Sequence, residues 1–195
     1  MNRIAIFASG SGTNAEKIIR HFNHHPQIEV AMLMSNKPDA YALTRAANLG
    51  VPASVFSRIE FQDGTVSDSL IKAGITHIVL AGFLWLIPEN LTRNFPDRII
   101  NIHPSLLPAF GGKGMYGNRV HQAVKDAGAS ETGISIHLVN EHYDEGRILF
   151  QAKCSISDSD TPDSIAEKVH ALEYMYYPEL IEQWILQPNI KPIPL

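Results

Sequence analysis

Arg3-Ile4-Ala5-Ile6-Phe7-Ala8-Ser9-Gly10-Ser11-Gly12-Thr13-Asn14 decides the fold class of this chain. Its first half is rich in Ile, Ala and Phe and reads as a buried strand over Arg3–Ala8. Ser9 to Gly12 then break the strand with two glycines. Ala15–Phe22 has helical spacing, with Thr13 or Asn14 as the expected cap. Strand, glycine-rich turn and helix make the opening of a βα unit.

The same alternation continues outward from that opening. Ile28–Ser35 reads as a second strand, and Ala40–Leu49 as a helix closed by Gly50. Ala53–Phe56 reads as a short strand, Val66–Ala73 as a helix ending before Gly74, and His77–Ala81 as another buried strand. Pro88–Asn94 is a short helix with proline in its first turn. Arg98–Ile102 is a strand running into His103-Pro104. Val120–Lys125 is helical. Gly133–Val139 and Arg147–Ile156 read as a strand pair joined by the Asn140–Gly146 loop. A long helix spans Pro162 to Leu186, and Gln187–Leu195, with three prolines, is a tail. The order predicts an α/β fold: a doubly wound, mostly parallel sheet with right-handed crossovers, a late antiparallel pair and a long C-terminal helix.

Length and composition narrow the function. With 195 residues the chain suits a single domain, 1–195. Residues 1–100 and 101–186 form its two halves, and 187–195 the tail. Hydrophobic residues make up 45% and charged residues 18%, enough for a packed core. The net charge of -4 argues against nucleic acid as a partner, because phosphate backbones call for a basic excess. A small anion held by a local site is compatible with it. Cys154 is the one cysteine, so no internal disulfide or cysteine-based zinc site is expected, and a cytoplasmic setting is the default. The apolar start is too short for a signal segment. The longest apolar stretch, Ile78 to Ile87, falls far short of the ~20 residues of a membrane helix.

Three segments are expected at the carboxyl ends of the strands, where open α/β sheets bind ligands: Ser9–Asn14, Gly82–Pro88 and Asn101–Pro108. The glycine loop suits an anion, since it ends at helix amides, and a phosphate fits it. It lacks the lysine of a P-loop and the third glycine of a dinucleotide fingerprint, so ATP hydrolysis and NAD binding are disfavoured. A tight turn without a ligand is the plain alternative. Asn101 and His103 fall on one face of their strand. An amide N–H beside an imidazole makes a pair able to stabilise an oxyanion. Strand-end capping is the plainer reading. Asp144 is a carboxylate in a polar loop, which Asp and Gly favour as turn residues in any case. Spacing alone does not bring it to His103. His21, His24 and His25 read as solvated surface, His77 as structural and Cys154 as an inert thiol. No spacing supports a metal site.

Taken in order, Ser9-Gly-Ser-Gly-Thr-Asn14, Ser35-Asn-Lys37, Leu80-Ala-Gly-Phe83, Asn101-Ile-His-Pro-Ser-Leu-Leu-Pro108, Gly133–His137, Asp144-Glu-Gly146 and Leu172-Glu173 cover nearly the whole chain. Together they resemble the phosphoribosylglycinamide formyltransferase family, folate-dependent enzymes of purine synthesis. The resemblance implies a Rossmann-like formyltransferase fold and two small-molecule substrates, phosphoribosylglycinamide and 10-formyltetrahydrofolate, with no metal. It implies that Gly12, Thr13 and Asn14 hold the substrate phosphate and that His170 and Glu173 contact the same substrate. It implies that Asn101, His103 and Asp144 are catalytic, with Asp144 keeping His103 charged. Leu84, Trp85, Leu86 and Ile87, with Asn101 and the Asn140–Asp144 loop, match the folate pocket.

Two departures stand out. Trp85 occupies a position where the family often has the Arg associated with the folate's glutamate tail, and Arg58 is a substitute or companion for it. Phe110–Gly117 is longer and richer in glycine than the usual loop, as a mobile flap would be. A formyltetrahydrofolate hydrolase and a methionyl-tRNA formyltransferase are related rivals, each expected to carry a further domain. A non-catalytic nucleotide-binding module is a rival of a different class. Monomer and homodimer are both compatible with the sequence.

Overall fold

The computed structural model describes residues 1–187, so the expected tail, beyond Gln187, lies outside the described residues. The chain divides into two compact units, Met1–Ile100 and Asn101–Leu195.

The first unit contains β1 (Asn2–Phe7), α1 (Thr13–His21), β2 (Ile28–Ser35), α2 (Tyr41–Asn48), β3 (Ala53–Val55), α3 (Arg58–Gln62), α4 (Thr65–Lys72), β4 (His77–Leu80) and α5 (Glu89–Asn94). Its strand order is β3-β2-β1-β4. β1 is flanked by parallel partners on both sides, Ile4 facing Val30 of β2 and His77 of β4. Ile4, Ala5, Ile6 and Phe7 are completely buried. A strand covered on both faces needs a continuous apolar run, and the sequence supplies one. Phe7 joins Phe56, Phe61 and Phe83 in an aromatic cluster, with Phe7 and Phe83 centroids 5.4 Å apart in an edge contact.

Three local expectations change. The N-cap of α1 is Gly12 in the left-handed region at φ 74°, with no side-chain capping bond. Thr13 and Asn14 are therefore helical residues rather than caps. α3 was not expected, although Ser57 and Glu60 form a full capping box at its start. That spacing is a helix signal readable in sequence. Pro88 is the N-cap of α5 rather than its first helical residue.

The second unit contains β5, which starts at the unit boundary (Ile99–His103), α6 (Asn118–Asp126), β6 (Glu131–Leu138), β7 (Ile148–Ser155) and α7 (Pro162–Leu186). Its strands lie in the order β5-β6-β7. β6 and β7 are antiparallel, Ile134 opposite Ala152. A Cβ on Gly133 would lie 1.8 Å from the Ala152 carbonyl oxygen, so only glycine permits that approach. α7 packs on β6, β7 and α6. It starts at a capping box between Thr161 and Ser164 and buries Ile165, Val169, Tyr177 and Ile181. Both units thus follow the expected α/β pattern: parallel strands first, the antiparallel pair and long helix last. Among the described residues no helix is long and apolar enough to cross a membrane.

Candidate active site

In the first unit, the turn after β1 is built from main-chain groups. The Ser9 N–H donates to the Gly82 carbonyl at 3.1 Å, and the Leu84 N–H donates to Ser9 Oγ at 3.1 Å. Ser9 Oγ in turn donates to Asn36 Oδ1 at 2.7 Å. Two of the expected ligand segments, Ser9–Asn14 and Gly82–Pro88, are therefore joined directly. The far side of the loop leans on α2. The Ala42 N–H donates to the Gly10 carbonyl at 3.1 Å, and Arg45 Nε to the Ser11 carbonyl at 2.9 Å. Arg45 also pairs with Glu16. Hydrogen bonds from Arg20 and Arg45 hold the Glu16 carboxyl below its ordinary range. Gly12 has no room for a side chain: its Cβ would sit 2.5 Å from Ala42 Cα. These contacts fix a bare turn at the amino end of α1, where the helix dipole favours an anion.

Beyond that turn, Arg58 stacks over Trp85, its guanidinium carbon 4.7 Å from the ring centroid. Trp85 is edged by Phe56 and Phe61. Leu84 is half-buried and Leu86 exposed, but Ile87 is 3% exposed and belongs to the core. Ile87 therefore offers a ligand little side-chain surface.

In the second unit, four polar side chains converge. Asn101 and His103 leave β5 in the expected alternation. His103 is 3% exposed. Its Nε2 lies 2.8 Å from the Phe110 carbonyl, to which it donates. Its Nδ1 faces Asp144 Oδ2 at 3.5 Å. Asp144 sits at φ 58°, a left-handed conformation that Asp tolerates better than most residues. Its Oδ2 accepts the Gly112 N–H at 2.9 Å. The carboxylate thus reaches the histidine, a contact that sequence spacing could not supply. The fourth residue, His137 of β6, had no role assigned from sequence. Its Nε2 lies 3.1 Å from Asn101 Nδ2 and 3.6 Å from Asp144 Oδ1. Its signals in the sequence were its place on the inward-facing alternation of β6 and at the end of the Gly133–His137 segment.

The electrostatics of His103 and Asp144 each balance opposing effects. Burial lowers the His103 pKa more than the Asp144 charge and the Phe110 bond raise it, and His137 lowers it further. The net shift is downward. For Asp144, burial pushes the carboxyl up. The flanking His137 and His103 and the Gly112 amide outweigh it, leaving the carboxyl below its usual value.

Two further expected residues lie on α7. His170 is exposed, and its ring stands 6.3 Å from the buried His121 ring and stacks on Tyr174. Glu173 is 6% exposed. Elsewhere, His25 Nδ1 accepts the Gln27 and Ile28 N–H groups, so His25 shapes the entry to β2 rather than merely facing solvent. His77 is pushed down to about 4 by burial, as a structural histidine would be. Burial raises the Cys154 thiol, which suits an inert group. Among the described residues, no three His, Cys, Asp or Glu side chains are grouped to hold a metal.

An Asn, a His and an Asp converging at a strand end make an arrangement able to meet charge developing on a carbonyl oxygen. Comparison with known proteins narrows this. A family model described as formyl transferase matches residues 2–181. The chain is 42% identical over 186 residues to the chloroplastic phosphoribosylglycinamide formyltransferase of Arabidopsis thaliana, covering 92% of this chain and 64% of that protein. It is 36% identical to the phosphoribosylglycinamide formyltransferase of Haemophilus influenzae, covering 98% of this chain and 90% of that one. A crystal structure of phosphoribosylglycinamide formyltransferase from Bacillus halodurans superposes with a TM-score of 0.86 at 33% identity, over 99% of this chain and 100% of that one. The chain belongs to the formyl transferase family. It spans less than two thirds of the length of the Arabidopsis relative.

Proposed function

We propose that this protein transfers the formyl group of 10-formyltetrahydrofolate to the amine of phosphoribosylglycinamide, a step of purine synthesis. The observation that carries the reading is the convergence of Asn101, His103 and Asp144 in a member of the formyl transferase family. In this reading residues 1–195 act as one formyltransferase domain in a cytoplasmic setting, whether monomer or homodimer.

Gly12, Thr13 and Asn14 take the substrate phosphate through main-chain amides, and His170 and Glu173 contact the rest of that substrate. Leu84, Trp85 and Leu86, with Arg58 beside them, take the folate, Ile87 supporting them from the core. The amine nitrogen bonds to the formyl carbon, and the bond from that carbon to the folate nitrogen breaks. The proton lost by the amine passes to the departing nitrogen. Charge grows on the formyl oxygen in between. The Asn101 amide N–H and the His103 N–H, the latter now given to Phe110, are the donors that meet it. Asp144 makes protonation of His103 easier as that charge develops and orders the water that relays the proton.

The test is to incubate the protein with 10-formyltetrahydrofolate, with and without phosphoribosylglycinamide, and follow folate release. Release only with the amine is the expected result. Release without it marks a hydrolase, and no release under either condition marks a binding module.

A further inference from the structure

We infer that His137 is a positioning residue that sets the orientation of the Asn101 amide, and that it does so through one fixed neutral tautomer. The role rests on the formyl-transfer reading, but the tautomer does not.

The geometry leaves few choices. His137 is 2% exposed in β6. Its Nδ1 lies 2.8 Å from the Leu138 carbonyl oxygen. A carbonyl only accepts, so Nδ1 carries the ring proton. The other nitrogen, Nε2, has two polar neighbours. Asn101 Nδ2 is at hydrogen-bonding distance, 3.1 Å, whereas Asp144 Oδ1 at 3.6 Å is beyond it. Nε2 therefore offers its lone pair to the Asn101 N–H. Asp144 keeps the Gly112 N–H, at 2.9 Å from Oδ2, as its main-chain hydrogen-bond donor.

The consequence falls on Asn101. An amide side chain has a donor end and an acceptor end of nearly equal size, and its neighbours decide which way it points. An accepting Nε2 at 3.1 Å claims one N–H and fixes the –NH2 end. The second N–H of the same group is then the donor for the formyl oxygen. A flipped Asn101 would present a carbonyl oxygen to a developing oxyanion, which repels it.

Gly146 guards the arrangement. A Cβ there would lie 1.7 Å from the Leu138 oxygen and 3.4 Å from His137 Nδ1. The loop that presents Asp144 thus ends on the glycine that leaves the Leu138 carbonyl free to hold the ring.

Nitrogen-15 NMR of the intact chain labelled at histidine reads the tautomer directly. The expected result at neutral pH is a protonated Nδ1 and a bare Nε2 for His137. A proton on Nε2, alone or together with one on Nδ1, overturns the inference. Kinetics read the role. His137→Gln keeps an acceptor and is expected within a few fold of the native turnover, whereas His137→Phe loses about as much as Asn101→Ala, on the order of 100-fold. The double variant is expected to be no slower than Asn101→Ala alone, because one interaction cannot be lost twice. Losses that multiply, or a His137→Gln variant as slow as His137→Phe, refute the positioning role. Formyl folate KM is expected to stay unchanged in His137→Gln. If the native chain transfers no formyl group, the proposed reaction fails and the NMR measurement alone decides the tautomer.

Discussion

The glycine turn of the first unit and the polar cluster of the second are assembled by opposite means. Around Gly12, the chain omits a side chain and fixes main-chain groups: the Gly10, Ser11 and Gly82 carbonyls and the Ser9 N–H are all engaged. Around His103, the chain concentrates side chains and uses their protonation: Asn101, His103, His137 and Asp144 share one set of hydrogen bonds and charges. A main-chain site has a permanent polarity that pH does not alter. A side-chain cluster can change charge during a reaction, which suits chemistry rather than simple binding.

Substitutions should expose that contrast. The largest effect is expected for His103→Ala, with turnover reduced by at least ~100-fold, the scale of a lost oxyanion donor. Steady-state kinetics check this, and near-native turnover would show that the cluster is not the reacting centre. Asp144→Asn removes charge but little volume. Its loss is expected in turnover, roughly tenfold or more, with little change in either KM. A variant with intact turnover and a raised KM would make Asp144 a binding residue.

Gly12→Ala acts on the other region. Its methyl has no space against Ala42, and φ 74° disfavours any side chain. A stability loss of about 1–3 kcal/mol is expected, together with a raised KM for the phosphorylated amine and largely preserved turnover. Loss of turnover with KM unchanged would erase the division of labour between the two regions.

Smaller effects follow from two histidines, His77 and His121, one in each unit. Burial pushes both His77 and His121 down to about 4. Between 6.5 and that value the unfolded chain binds protons that the folded chain refuses, so stability falls as pH falls through this window. Thermal melts between pH 7 and 4 should show a progressive decline, reduced in His77→Gln. The smallest effect is expected for Arg58→Ala, which removes an exposed cation–π contact worth about 0.5–1 kcal/mol. A large rise in folate KM would instead give Arg58 a direct hold on that substrate.

Much of this was legible in the chain. Strand and helix positions follow from periodicity because burial imposes it: Ile4–Phe7 of β1 must be apolar, since both edges are paired and both faces covered. Where local expectation failed, a local signal had been passed over, as with the Ser57–Glu60 box, or a tertiary contact had intervened. Gly12 caps α1 because Ala42 leaves no space for a side chain, a fact invisible at one end of the sequence. His137 was missed because an inward histidine on a strand looks like any core residue until its partner, 36 positions earlier in the chain, is known.

The sequence by itself determined the order of elements, the glycine turn and the pairing of Asn101 with His103 on one face, because each depends on neighbours within a few residues. Only the tertiary structure decided that Asp144 meets His103, that burial outweighs that meeting in shifting the ring downward, and that His137 lies beside Asn101. Those outcomes depend on distance and desolvation, and both are set by how segments remote in the chain pack together.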